Sequence, residues 1–385
     1  MENNTLSPEL MEIIHSNGLE GLPQAITIML NEAMKAERSH YLNCAPYERT
    51  QERQDYANGY KPKTLNTRVG ALELSVPQVR SSNFYPSCLE KGQRSEQALC
   101  IAMSEMYIQG VSTRKVTKVL EQLTGLQVSS TQVSEAAKKL DEHIKAWRER
   151  PLGQFKYLIL DARYQKVRLG NQVTDTAILI ALGIDPQGKR EILGFSVALS
   201  EAEVHWREFL QDLVKRGLHG VELVVSDDHS GLKAARKTVL PSVPWQRCQF
   251  HLQQNAGHYV SKQKDKSLIA QEIRQIFNAP NFEEAMRLLK LMIQRYQDSE
   301  PNLANWMEEN IPEGLTIFNL GLSDFNRKRL RTSNVLERVN QKIKARTRQI
   351  KIFPNIASCE RLVGALLMEI SEDWMDMKPY ISFKD

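Results

Sequence analysis

The amino-acid sequence predicts an α/β protein: a mixed sheet interrupted by an all-helical insertion and preceded by a mainly helical N-terminal region. Three observations support this prediction. Between residues 156 and 227, apolar strand-like runs flank one amphipathic helix. Residues 258–325 show helical periodicity alone. Residues 1–40 and 95–147 combine helical periodicity with capping and turn residues.

The composition is that of an ordinary soluble globular protein. The chain has 385 residues, of which 41% are hydrophobic and 25% charged, enough for two or three domains and a sizeable core. No apolar run reaches the roughly 20 residues that a membrane-spanning helix needs, and the N-terminal residues lack a signal-peptide pattern. Five scattered cysteines argue against a disulfide framework. We therefore expect a cytoplasmic protein with no membrane partner.

Residues 1–94 are predicted to form an N-terminal helical arm and a small β element. The start of this segment carries an apolar stripe at helical spacing. Asn58-Gly59 and Gly70 are typical of turns, and residues 71–76 alternate between apolar and polar as a short strand does.

Residues 95–150 are predicted to form a helix-turn-helix-like DNA-binding region of three helices. Gly110 and Gly125 end the first two helices, and Ser112 can cap the second. One of Ser129, Ser130 and Thr131 can cap the third helix. Short helices joined by a glycine-containing turn are typical of a helix-turn-helix. The same pattern also fits a generic helical bundle, so both interpretations stay open.

Residues 151–257 are predicted to form the first part of the sheet. The apolar run 156–161 is predicted to be a buried strand that ends in Asp161, and the run 221–227 one that ends in Asp227. Further strands are predicted over 164–169, 176–184, 192–199 and 245–250, and helices over 203–216 and 231–239.

The order of these elements is that of a ribonuclease H-like core. Such a core has hairpin strands, a crossover helix and then a strand that returns beside the first. If the two acid-bearing strands are adjacent and parallel, Asp161 and Asp227 lie side by side at the carboxyl ends, where α/β sheets place their sites. The sequence therefore predicts a ribonuclease H-like mixed-sheet catalytic core.

The second half of the chain is predicted to leave this core and return to it. Residues 258–325 form the helical insertion. Residues 326–385 form the final part of the core, with a basic helix from Ser333 onward, a break at Phe353-Pro354 and a last amphipathic helix.

Positive charge is concentrated around one acid. The chain carries a net charge of only +5, but residues 327–351 contain ten basic side chains and one acid, Glu337, a net of +9. A charge run is often no more than a solvated helix face. A carboxylate amid cations is also what metal-dependent chemistry on phosphodiesters needs, since the cations hold DNA and the acid holds the ion. The side chains predicted to contact DNA are Arg331, Asn334, Arg338, Lys342, Lys344, Arg346 and Arg348.

Asp161, Asp227 and Glu337 are the candidate catalytic and metal-binding residues. Hard ions such as Mg²⁺ or Mn²⁺ prefer carboxylate oxygens, and two ions can activate a nucleophile and stabilise a leaving oxygen at phosphorus. Each acid alone has an ordinary alternative, as a turn or helix cap or as an ion-pair partner within a helix. Their occurrence together, two after apolar strands and one in a basic helix, favours the metal site.

Several ordered motifs resemble the bacterial Mutator-type insertion-sequence transposases. The most specific are residues 226–235 (SDDHSGLKAA), 245–251 (WQRCQFH), 331–340 (RTSNVLERVN), 346–348 (RTR) and 352–355 (IFPN). Upstream similarity lies in residues 59–60, 67–77, 107–114 and 150–152, so that the resemblance covers nearly the whole chain.

The resemblance implies a DDE catalytic domain, Mg²⁺ as cofactor and terminal-inverted-repeat binding by the N-terminal part. It assigns the triad to Asp161, Asp227 and Glu337. The family places the second acid four residues before a Gly-Leu pair, which selects Asp227 over Asp228. Cys248 and His251 correspond to a C-x-x-H signature of the family. Because two ligands make no tetrahedral zinc site, we interpret this pair as supporting residues with a structural or DNA-positioning role.

The function expected from these features is that of a bacterial DNA transposase. It binds the terminal inverted repeats of its element as a homodimer, cuts one strand to free a 3′-hydroxyl, and joins that hydroxyl to target DNA. Two alternatives stay open from the sequence: a catalytically silent DNA-binding relic, and a structure-selective nuclease of the same fold.

Overall fold

The computed structural model describes residues 8–45, 48, 53–67, 69–81, 84–89, 95, 97–124, 126–348 and 350–383. The chain divides into two compact units, Met1–Lys139 and Leu140–Asp385. Within the described ranges, every helix is too short or too polar to cross a membrane.

The first unit contains a two-stranded antiparallel sheet packed on a long helix. Its elements are α1 (Pro8–Asn17), α2 (Leu22–Leu42), β1 (Ala57–Thr67), β2 (Gly70–Val79), α3 (Gln97–Ile108), α4 (Thr113–Thr124) and α5 (Ser130–Lys138). Met34 of α2 is fully buried against Leu72, Leu74 and Val76 of β2. The alternating apolar residues of β2 therefore form the buried face of a strand, as the sequence predicts.

One turn prediction in this unit is wrong. Asn58 and Gly59 lie inside β1, where the register shifts between Ala57 and Tyr60. Gly59 has a φ of 73°, a left-handed conformation that glycine adopts readily and that accommodates a bulge as well as a turn. The hairpin turn follows Thr67 instead, where the strand register closes on Gly70.

Helices α3, α4 and α5 pack around a small apolar core. Val116 and Val133 are fully buried there. Ser129 caps α5 through a capping box with Gln132, in which each side chain accepts from the other residue's backbone N–H. The predicted third helix does not run on to Trp147, because α5 ends at Lys138 and a separate helix, α6 (Leu140–Glu149), begins the second unit.

The second unit is built on a five-stranded mixed sheet. Its strands are β3 (Tyr157–Leu169), β4 (Gln172–Ile184), β5 (Arg190–Ala198), β6 (Leu223–Ser226) and β7 (Trp245–Arg247). The spatial order is β5-β4-β3-β6-β7. The first three strands along the chain pair in antiparallel fashion, and β6 and β7 continue the sheet in parallel from β3. The predicted mixed α/β architecture is confirmed.

Helices cover the sheet and fix its central strands. α7 (Glu203–Lys215) packs Trp206, Phe209 and Leu213 onto the sheet, together with α8 (Ser230–Val239). α14 (Asn334–Thr347) contacts β3, and α15 (Ile356–Met375) contacts β3 and β5. The ion pair of Asp141 with Arg361, 2.6 Å long, joins α6 to α15. Central strands thus carry near-continuous apolar runs because helices lie over them.

A helical subdomain interrupts the sheet after β7. Its helices are α9 (Gln249–Ala256), α10 (Lys266–Phe277), α11 (Phe282–Tyr296), α12 (Pro301–Asn310) and α13 (Asp324–Leu330). Helices α9 to α12 share one apolar core, in which Leu252, Ile273 and Leu303 are fully buried. The predicted strand over 245–250 is too long, since the Cys248 N–H bonds to the Ser226 carbonyl at 2.8 Å and the chain turns into α9 directly afterwards.

Candidate active site

Two strands bring Asp161 and Asp227 to the same place on the sheet. β3 and β6 run parallel, and their last paired residues are Ile159 and Val225. Asp161 and Asp227 each follow two residues later, so equal positions of adjacent strands carry the two acids. The charge of Asp227 also contributes to raising the pKa of Asp161, after the larger effect of burial.

The position of Asp161 within its strand differs from the prediction. Asp227 directly follows β6, as expected, but Asp161 lies inside β3, which continues to Leu169. The two strand candidates over 156–161 and 164–169 are therefore one strand. Beyond Ile159, β3 keeps its antiparallel partner β4 but is no longer paired with β6, so the continuous apolar run stops although the strand does not.

Asp161 is held by two hydrogen bonds and is half-buried. The backbone N–H of Ala162 donates to Oδ1, and the Asn340 amide donates from Nδ2 to Oδ2, each at 2.9 Å. Burial raises the pKa of Asp161 to about 7, and the neighbouring charges of Glu337 and Asp227 act in the same direction. An ionised Asp161 therefore calls for positive charge beside it.

Glu337 reaches the two aspartates from the first turn of α14. Val335, Leu336 and Val339 are buried on the inner side of this helix. The residues before the helix are tied to the end of β7, because the Gln249 N–H donates to the Arg331 carbonyl at 3.0 Å. Three acids from two strands and one helix thus lie near enough for the charges of Glu337 and Asp227 to act on Asp161.

His251 lies between two of the acids. Its Nδ1 is 3.8 Å from Asp227 Oδ1, and its Nε2 is 3.7 Å from Glu337 Oε1. A hydrogen bond with Cys248 is the main cause that raises the pKa of His251 to about 9, with Asp227 and Asp161 contributing. For Cys248, burial works against ionisation, but hydrogen bonds from His251 and Ser333 lower the pKa of the thiol. Of the predicted supporting pair, His251 therefore lies directly beside two of the acids.

The residues present fit a divalent cation. Three carboxylates supply the oxygen donors that Mg²⁺ and Mn²⁺ prefer. One oxygen of these carboxylates, Glu337 Oε1, and the neighbouring amide oxygen, Asn340 Oδ1, are buried without a hydrogen-bond partner. Such an arrangement costs free energy unless a cation or donor satisfies them. Asp227 keeps 46% of its side chain exposed, so a large substrate can reach the cluster from that side.

Asp228 takes part instead in a separate network of ion pairs. Lys233 lies 2.8 Å from its Oδ1 and Arg247 lies 2.9 Å from its Oδ2. The same two cations contact Glu313 at 3.0 Å each, and Arg247 also donates to Asn310. With both oxygens engaged, Asp228 is a poor metal ligand. This is a physical ground for assigning the second acid to Asp227.

The side chains predicted to contact DNA divide into two groups. Asn334, Arg338, Lys342, Lys344 and Arg348 are exposed, and Arg346 is half-buried. Arg331 points inward instead, where its Nη1 donates to the Phe277 carbonyl at 2.9 Å and to Asn278 Oδ1 at 2.8 Å. The exposed members leave a basic surface on the helix that carries Glu337.

Sequence reasoning missed two residues that shape the site. Asn340 lies three residues after Glu337, on the same side of α14, and this helical spacing was the available signal. Arg247 is only 4% exposed and compensates both Asp228 and Glu313. Glu313 belongs to the helical subdomain, distant in sequence, so no local pattern could have indicated this contact.

A close approach fixes the loop that follows Asp227. A Cβ on Gly231 would overlap the carbonyl oxygen of Glu201, so only glycine lets the start of α8 lie against the segment before α7. Burial raises the pKa of Glu201, and His229 lies 3.9 Å from its carboxylate. Close packing therefore explains why the motif has a glycine at the Gly-Leu pair.

Comparison with known proteins gives one consistent result. Residues 3–377 match the family described as "Transposase, Mutator family". The chain is 55% identical, over its full length and 98% of the relative, to the transposase for insertion sequence element IS406 of Burkholderia multivorans. It is 45% identical to the transposase for element ISRM5 of Rhizobium meliloti, over its full length and 96% of that protein. It is 37% identical to the transposase for element IS256 in transposon Tn4001 of Staphylococcus aureus, over 98% of this chain and 97% of that one. The chain belongs to the Mutator family of insertion-sequence transposases.

Proposed function

We propose that this transposase is a DDE enzyme with a ribonuclease H-like core, in which Asp161, Asp227 and Glu337 form the catalytic triad. The observation that supports this most strongly is the convergence of three carboxylates from β3, the end of β6 and the first turn of α14. The sheet order, with an antiparallel hairpin followed by two parallel strands, is that expected of such a core.

The reaction is phosphoryl transfer in two steps. Water attacks the phosphorus at an element end, the bond from phosphorus to the 3′ oxygen breaks, and a 3′-hydroxyl and a 5′-phosphate result. That 3′-hydroxyl then attacks a phosphorus of the target DNA, and a 3′ oxygen of the target leaves. A bound pair of Mg²⁺ or Mn²⁺ ions would supply activation of the attacking oxygen and stabilisation of the leaving one.

The chain's own residues prepare this chemistry. Asp161, Asp227 and Glu337 would hold the ions, and Asn340 keeps the Asp161 carboxylate oriented through the bond to Oδ2. The network around Asp228 fixes the end of β6 against the helical subdomain. The exposed cations of α14 bind the phosphates that flank the reacting one, which positions the strand.

The partners follow from the same chemistry. We infer that double-stranded DNA, both the terminal inverted repeats and the target, lies along the basic surface of α14. Helices α3 to α5 of the first unit remain the candidate reader of the repeats, as a helix-turn-helix. A homodimer would bring two ends together for joining. Each of these inferences rests on the family and on residue chemistry.

A cleavage and joining assay tests the proposal. The substrate is a duplex that carries one end of the element encoding this chain, with its natural flank, and the cofactor is Mg²⁺. We expect a nick that leaves a 3′-hydroxyl, followed by joining to a plasmid target. End binding without any cut would indicate the silent relic. Cutting of branched DNA, without joining of pre-cleaved ends, would indicate a nuclease.

A further inference from the structure

A buried thiol lies directly behind the acid cluster and has no part in the proposed reaction. Cys248 is completely buried between β7 and α9. Its sulfur accepts hydrogen bonds from the backbone N–H of Ser333 at 3.3 Å and from the Ser333 hydroxyl at 3.4 Å. Donors of this kind stabilise negative charge on sulfur, and they orient thiolates that bind metals.

Two other ligand types lie beside this sulfur. Cys248 Sγ, a ring nitrogen of His251 and a carboxylate oxygen of Glu337 all lie within 4.8 Å of one another. Glu337 Oε1 is buried without a hydrogen-bond partner. The donor set is thus one sulfur, one nitrogen and one oxygen. A cation at this point would satisfy an oxygen that the protein itself leaves unsatisfied.

The chemistry of the set selects a softer ion than Mg²⁺. Zn²⁺ binds thiolate, imidazole and carboxylate at roughly 2.0–2.3 Å in a tetrahedron, and its donors are then about 3–4 Å apart. The distance of 3.7 Å between His251 Nε2 and Glu337 Oε1 matches such an edge. Mg²⁺ keeps to oxygen ligands and octahedral geometry, so it has little affinity for this trio.

We propose that Cys248, His251 and Glu337 form a Zn²⁺ site that shares Glu337 with the catalytic metal site. Zn²⁺ bound there occupies the Glu337 carboxylate and so inhibits strand cleavage. The binding itself does not depend on the proposed function; only the inhibition rests on it. Cys248 and His251 are close together in sequence, and their third ligand comes from α14, where Glu337 lies 86 residues after His251.

Cobalt absorption tests the binding. Metal-free full-length protein is titrated with Co²⁺, which occupies Zn²⁺ sites and gives a thiolate charge-transfer band. We expect the band in the wild type, its removal by added Zn²⁺, and its loss in Cys248→Ser. Cys88→Ser, which removes an exposed thiol, is the matched control and retains the band. Absence of the band in the wild type, or its persistence in Cys248→Ser, overturns the proposal.

A second variant guards against misfolding of Cys248→Ser. Glu337→Gln leaves the thiol and the imidazole in place, and we expect it to weaken Co²⁺ binding about 10–100-fold while the charge-transfer band still forms at high Co²⁺. Asp161→Asn, outside the trio, should bind Co²⁺ as the wild type does. Unchanged Co²⁺ affinity in Glu337→Gln would exclude Glu337 as a ligand and so contradict the shared site.

Cleavage assays test the inhibition separately. At fixed Mg²⁺, micromolar Zn²⁺ should suppress cleavage by the wild type, and Cys248→Ser, compared with its own Zn²⁺-free rate, should need about tenfold more Zn²⁺ or greater. Equal sensitivity of both proteins would contradict inhibition through this site. A Co²⁺ band without any Mg²⁺-dependent cleavage would instead contradict the proposed function and leave the metal site standing.

Discussion

Burial raises the pKa of the Asp161 carboxyl group to about 7, and the nearby acids add to this effect. A raised pKa means that the folded state binds the proton more tightly than the unfolded state, whose Asp titrates near 3.9. The contribution of Asp161 to stability is therefore fully present at low pH and is lost as the pH rises from about 4 through about 7. His251, with a pKa raised to about 9, loses its contribution between about 6.5 and 9.

The first prediction follows from the direction of these two pKa shifts. In the presence of a chelator, the free energy of unfolding of the wild type should fall between pH 5 and pH 8, by on the order of a few kcal/mol. Asp161→Asn should show a smaller fall, since only His251 and Glu201 then titrate in the cluster with raised pKa values. Urea unfolding at both pH values measures the difference. Equal pH dependence in the two proteins would contradict a raised pKa of the Asp161 carboxyl group.

The second prediction concerns Asn340, whose amide orients Asp161. Asn340→Ala should lower the apparent Mg²⁺ affinity or the cleavage rate about 10–100-fold, as loss of such a partner does at other metal sites. A Mg²⁺ titration of cleavage separates the two effects. Asn305→Ala, an exposed asparagine on α12, is the control and should behave as the wild type. A purely structural role would lower stability and leave the Mg²⁺ dependence unchanged.

At the residue scale, the pattern of apolar runs and basic residues indicated Asp161, Asp227 and Glu337 as candidates, and the resemblance to the family selected Asp227 over Asp228. The sequence could not indicate that Asp161 is half-buried or that Asn340 bonds to it. Burial depends on α14 lying over β3, and these elements are separated by the whole helical subdomain. The inward orientation of Arg331, toward the end of α10, was hidden for the same reason.

At the element scale, the periodicity predicted most helices and strands, and the errors have local causes. The two strand candidates around Asp161 are one strand because β4 pairs along the full length of β3, and hairpin pairing overrides the change in polarity. The strand that begins at Trp245 ends earlier than predicted, because the Cys248 N–H makes the last backbone hydrogen bond to β6, at Ser226. Both errors arise where pairing between elements, rather than residue pattern, sets the boundary.

The third prediction tests how the helical subdomain is tied to the site. Arg247 is 4% exposed and faces both Asp228 and Glu313. Arg247→Ala should cost about 3 kcal/mol in the free energy of unfolding, because two carboxylates lose their buried partner. Urea unfolding measures this. Arg287→Ala, whose partner Glu284 lies on the surface of α11, should cause no measurable change. Equal effects of the two substitutions would contradict a special role for the network.

At the scale of the whole molecule, net charge conceals the basic surface. The protein carries only +5, whereas residues 327–351 carry +9. The remaining −4 is spread over the rest of the chain, so non-specific attraction is concentrated near the acids. Phosphate binding should therefore be strongest where the reaction occurs, and dependent on salt.

The fourth prediction measures this surface. Lys342→Ala and Lys344→Ala together should weaken binding to any duplex DNA and reduce the slope of log affinity against log salt concentration by about 2, one for each phosphate contact. Fluorescence anisotropy over a salt series gives the slope. Lys290→Ala, an exposed lysine on α11, should leave it unchanged. If the double variant kept the wild-type slope, DNA would not lie along α14.

The most direct test of the triad is Mg²⁺-dependent cleavage of an element-end duplex by the wild type and by Asp161→Asn, Asp227→Asn and Glu337→Gln. All four proteins should bind the duplex with similar affinity, since the substitutions leave the basic surface intact. The wild type should release a 3′-hydroxyl strand, and each variant should cut at less than about 1% of that rate, because each loses a ligand of the catalytic ions. Cleavage near the wild-type rate by any one of the three would contradict the account.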